Sequence, residues 1–81
     1  MNPEHLAVMV NDIANFFSAE ADRGVAVNGV ANHLKKFWDP RMRRQIVSYL
    51  REHGGAELSE LARAGVERLG EIDTTQARPA A

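Results

Sequence analysis

Apolar residues recur along this chain at steps of three and four. In the first segment Leu6, Met9, Val10, Ile13, Phe16 and Phe17 share one side when wound at about 100° per residue, within an arc of roughly 120°. Asn2 is placed to cap the free amides ahead of them and Pro3 suits a first helical position, so the pattern predicts a helix over about 3–19. Behind a capping Asp22, the residues Val27, Val30, Ala31, Leu34, Phe37 and Trp38 repeat the same steps. Both stripes end in an aromatic pair. The two are expected to pack on each other, with Phe16, Phe17, Phe37 and Trp38 supplying most of the core.

Asp39-Pro40 predicts a corner. Pro40 disfavours helical geometry at Asp39, and the Asp39 carboxylate can accept from the free amides of a helix starting at Pro40. That third helix is expected over about 40–53, with Met42, Ile46, Tyr49 and Leu50 inward and Gly54-Gly55 as its stop. A fourth segment, about 57–69, aligns Leu58, Leu61, Ala62, Val66 and Leu69. Ala62 and Gly65 thin its stripe, so it is expected to be loosely held and able to pair with a partner or, in the isolated protein, with its own copy as a homo-oligomer. Beyond Gly70 no period continues. The expected fold is all-α: three main helices plus a weaker fourth in one domain over 1–69, followed by a disordered C-terminal tail over 70–81.

Composition narrows the chemistry. With 81 residues there is room for one modest core, and hydrophobic and charged fractions of 44% and 26% are those of an ordinary globular domain. No apolar run approaches the roughly 20 residues of a membrane span, and Met1-Asn2-Pro3-Glu4 lacks the basic-then-apolar order of a secretory signal, so a cytoplasmic location is expected. The absence of cysteine excludes disulfides, thiolate metal sites and thiol nucleophiles. His5, His33 and His53 are scattered one per helix without an i, i+4 pair, and Ser18, Ser48 and Ser59 lack a paired histidine. No catalytic, cofactor-binding or metal-binding residue is expected in this chain.

Charge changes the picture more. Net charge is −1, but residues 35–51 hold six basic residues against Asp39 alone, a local +5 that leaves −6 on the rest of the chain. Lys35 and Lys36 suit the negative pole ending the second helix. Arg41, Arg43 and Arg44 instead occupy the first turns of the third, where exposed cations are disfavoured by about 0.3–1 kcal/mol each. Two readings follow: the arginines pair with the chain's own carboxylates, such as Asp12 or Glu20, or they face an acidic partner.

Taken together, Asn11-Asp12-Ile13-Ala14-Asn15-Phe16-Phe17 and the longer run Gly29-Val30-Ala31-Asn32-His33-Leu34-Lys35-Lys36-Phe37-Trp38-Asp39-Pro40-Arg41-Met42-Arg43-Arg44 resemble the delta subunit of NAD-dependent formate dehydrogenase, over about residues 6–65. The resemblance implies the smallest, non-catalytic subunit of a soluble bacterial complex that oxidises formate to carbon dioxide and reduces NAD. It implies that the molybdenum or tungsten bis-pterin cofactor, iron–sulfur clusters and FMN lie in larger subunits. This chain would associate with the large cofactor-bearing subunit and support assembly, cofactor insertion or stability. On that basis Lys36, Arg41, Arg43 and Arg44 are expected to contact an acidic surface of the large subunit, while Phe37 and Trp38 set the angle between helices two and three. A narrower version has the basic face touch the phosphates of the pterin cofactor during maturation.

The rival reading is a helix-turn-helix nucleic-acid binder, suggested by three helices with a tight corner and an arginine-rich third helix. A sequence pI of about 6.3 and the −6 outside the basic segment oppose approach to a polyanion.

Overall fold

The computed structural model describes residues 2–77, with side-chain surroundings for residues 2–73. Four helices follow one another: α1 (Pro3–Phe17), α2 (Arg23–Phe37), α3 (Pro40–His53) and α4 (Glu60–Ala77). Each starts where a side-chain oxygen meets its free amides. Asn2 Oδ1 accepts from the Glu4 amide (2.8 Å), Asp22 Oδ1 from Val25 (3.1 Å), Asp39 Oδ1 from Met42 (2.9 Å) and Ser59 Oγ from Ala62 (3.2 Å). At the other end of α3, Gly54 takes φ +75° and donates its amide to the Leu50 carbonyl, a left-handed stop that a side chain would strain.

The α3–α4 connection is clamped by α1. Asn11 Nδ2 donates to the Glu57 carbonyl (2.9 Å) and Asn11 Oδ1 accepts from the Ser59 amide (2.8 Å), so one side-chain amide fixes both sides of Leu58, which is buried. Tyr49 of α3 donates its hydroxyl to the Glu57 carboxylate, and this bond pushes the phenol up to about 12 from its ordinary 10.0. The neutral phenol is the form the fold favours. The bond therefore contributes fully below pH 10 and is lost as pH rises from 10 to about 12. Tyr49 is the sole tyrosine, so the ultraviolet titration of the folded protein reads this group alone. We expect a midpoint near 12 that falls back toward 10 in Glu57→Gln; a midpoint near 10 in the folded parent would refute the contact.

The core is aliphatic. Leu6, Val10, Val30, Leu34, Ile46, Val66 and Leu69 are fully enclosed, with Ala7, Ala14, Ala31 and Ala62 between them. Three expectations from the sequence are corrected here. First, α1 packs most on α2, as expected, but also touches α3 and α4, and α2 does not return the preference: its largest interface, and the largest in the fold, is with α4. Second, α4 is not a weak appendage. Ala62 and Gly65, which thin its apolar stripe, let its backbone come close to α2; a Cβ on Gly65 would lie 2.7 Å from Cβ of Val30. Helix α4 also begins at Glu60 and continues past Gly70 to Ala77, burying Gly70 and packing Ile72 against the core. Only residues 78–81 of the expected tail lie outside the described part.

Third, the aromatic residues do not make the core. Trp38 is buried and Phe17 half-buried, but Phe16 and Phe37 are 76% and 68% exposed. With small side chains setting the α2–α4 distance, no room remains for four aromatic rings, and the inner side of α1 rotates toward Ala7 and Ala14. Phe37 therefore does not wedge α2 against α3; Trp38 alone sits in the core.

Candidate functional site

The basic segment forms the corner between α2 and α3. Helix α2 ends as Trp38 turns to extended geometry (φ −90°, ψ 143°) while still donating its amide to the Leu34 carbonyl (2.9 Å). Its indole is 7% exposed and belongs to the core. Asp39 then caps α3, and Pro40, which has no amide hydrogen to satisfy, occupies the first turn.

Arg43 holds this corner together. Its Nη1 donates to the carbonyls of Lys35 (2.8 Å) and Trp38 (2.9 Å), at the C-terminal end of α2, where a cation is favoured. Its Nε donates to Asp73 Oδ2 of α4 (2.9 Å), whose other oxygen accepts from Lys35 Nζ (3.1 Å). The Arg43 and Asp73 side chains are only 17% and 19% exposed, so this is a partly desolvated ion pair rather than a surface one. The carboxylates proposed from sequence as internal partners are not used this way. Glu20 accepts from the Asp22 amide, and the arginine that is neutralised takes Asp73 instead.

Arg43, expected to contact a partner, is thus committed to the corner itself, and Trp38 lies in the core, as its expected role of setting the α2–α3 angle requires. What remains on the outside is Lys36, Phe37, Arg41 and Arg44, all exposed. Arg41 and Arg44 form no ion pair among the described residues, although they sit at the positive pole of α3. Lys36 Nζ lies 5.9 Å over the Phe37 ring, within cation–π range. From Phe37 a row of rings crosses to α1: His33 at 4.8 Å, Phe17 at 6.4 Å from His33, and Phe16 edge-on to Phe17 at 5.1 Å.

Among the described residues no three His, Asp or Glu side chains converge as metal ligands, and no charged or polar side chain is buried. A surface hollow between α1 and the start of α4 is lined by Asn11, Asp12, Asn15, Ser18 and Ser59, but the Asn11 amide is already spent on the loop. No described helix is long and apolar enough to cross a membrane.

The fold is that of a small all-α protein of four helices, with exposed cations and rings at one corner among the described residues. Residues 5–66 match the family described as the NADH-dependent formate dehydrogenase delta subunit, FdsD, and the chain belongs to that family. The match spans most of α1, all of α2 and α3, and α4 as far as Val66, which includes the whole corner except Asp73. No curated protein and no solved structure shows a significant match to the chain.

Proposed function

We propose that this chain is a non-catalytic accessory subunit of a cytoplasmic formate dehydrogenase that docks on the large cofactor-bearing subunit through Lys36, Phe37, Arg41 and Arg44. In this reading the molybdenum or tungsten bis-pterin cofactor, the iron–sulfur clusters and FMN belong to the larger subunits. The small chain supports their assembly, cofactor insertion or stability. Family membership supplies the complex. The carrying observation is the pair Arg41 and Arg44: two exposed cations without a carboxylate among the described residues, at the helix end where their own dipole opposes them. Charges so placed are neutralised best by carboxylates from another chain.

Reversing both, Arg41→Glu with Arg44→Glu, places anions at the positive pole of α3. Stability should hold or rise slightly, while recovery of the larger subunits with the tagged chain should fall about tenfold or more. A normal yield of complex that oxidises formate and reduces NAD, from cells carrying this variant, would remove the docking role. Nucleic acid in the parent's eluate, lost in the variant, would instead favour the helix-turn-helix reading.

A further inference from the structure

The basic corner continues into a feature that charge reversal does not probe: the row Phe16, Phe17, His33 and Phe37. Its formation is specific. Phe17 lies flat on Gly29 of α2, where a Cβ would come within 2.6 Å of its ring, so the absence of a side chain at position 29 creates the seat. That seat turns the neighbouring Phe16 outward, edge-on to Phe17 and 76% exposed. One and two helical turns along, His33 and Phe37 extend the row to Lys36. The two outer phenylalanines together leave roughly 300 Å² of their surface in water, at the lower end of the largest apolar patch on an ordinary monomer, which is often a functional one.

We propose that this aromatic row is the apolar anchor of the docking face, and that its occupant is an apolar surface of a larger subunit rimmed by carboxylates. The inference rests on the subunit reading above and adds where the binding energy lies. Charge complementarity selects the occupant. The row ends against Lys36, whose ammonium lies 5.9 Å over the Phe37 ring, so whatever covers Phe37 meets a cation, with the exposed Arg41 and Arg44 in the first turns of the next helix. Aromatic residues bordered by charges that meet their complements are the usual composition of an interface hot spot.

The test is made in the assembled complex. A photoreactive p-benzoyl-phenylalanine at position 16 should cross-link to a larger subunit of the enzyme. Phe16→Ser with Phe37→Ser should retain the parent's helical circular dichroism, because both rings are exposed, yet lose tenfold or more of the co-purified complex. A cross-link to a second copy of the chain overturns the proposal, as does complex formation in normal yield by the doubly substituted chain. If charge reversal at Arg41 and Arg44 releases the complex while the phenylalanine variant does not, the subunit reading stands and the anchor fails. If the parent chain recovers no formate dehydrogenase at all, both fail together.

Discussion

Gly65→Ala should lower the melting temperature of this protein, although alanine is the better helix former. In an exposed helix the exchange would gain about 1 kcal/mol. Here the new Cβ would meet Val30 Cβ at 2.7 Å, an atom fixed to the α2 backbone that no rotamer change can move away. The helices must separate along their largest interface, loosening Ala62, Val66 and Leu69 as well. Overpacking of this kind costs about 1–3 kcal/mol, and contact with a branch atom places the cost high in that range or above it. We expect a net loss of about 1–2 kcal/mol, or roughly 5–15 °C for a chain of this size. Val30→Ala alone should also destabilise, by about 2 kcal/mol, through the cavity it leaves. Combined, the two should cost less than their sum, because alanine at position 30 removes Cγ1, the other Val30 atom the new methyl would strike, while the Cβ at 2.7 Å remains and keeps the relief partial. Thermal melts of the four proteins complete the cycle. A Gly65→Ala variant as stable as the parent, or strict additivity, would show that α4 does not approach α2 as described.

That close approach also explains what the sequence could and could not show. Helix starts were legible because capping is local: Asn2-Pro3, Asp22 and Asp39-Pro40 carry their own geometry, as does the Gly54 stop. The covering partner of each stripe was not. Small residues such as Ala62 and Gly65 read equally as a thin apolar face or as the point where two helices touch, and only the facing helix decides. Phe16 and Phe37 show the same limit, since their spacing places them at the margin of an apolar arc whose centre depends on what packs there. Helix α4 beyond Gly70 was missed although Ile72 and Asp73 continue the +3 and +4 steps from Leu69; a glycine read as a stop hid them. In the site, the exposed cations Lys36, Arg41 and Arg44 followed from charge alone. Arg43 needed periodicity as well: with Ile46, Val47 and Leu50 at +3, +4 and +7, it lies on the inner side of α3.

Adjacent arginines with opposite orientations make a sharp prediction. Arg43→Ala should be among the most destabilising single changes in the chain. It leaves the Lys35 and Trp38 carbonyls without their donor and strips one of two cations from a carboxylate only 19% exposed. Such losses cost about 1–3 kcal/mol for each unsatisfied polar group and more for a charge left unpaired in the interior. Lys35 still compensates Asp73, so we expect about 2–4 kcal/mol, or on the order of 10–25 °C in melting temperature. Arg43→Lys should recover only part of this. An ammonium on a flexible stem can replace the charge but not the planar fork that reaches two carbonyls and a carboxylate at once. Arg41→Ala with Arg44→Ala should instead stay within about 0.5 kcal/mol of the parent. If Arg43→Ala melts with the parent, the Asp73 latch carries no weight, and Arg43 returns to the docking set with its neighbours. If it unfolds as expected while the other two arginines matter only for complex recovery, then one arginine builds the corner and two present it. Loss of complex in an Arg43 variant would then report a collapsed corner rather than a missing contact.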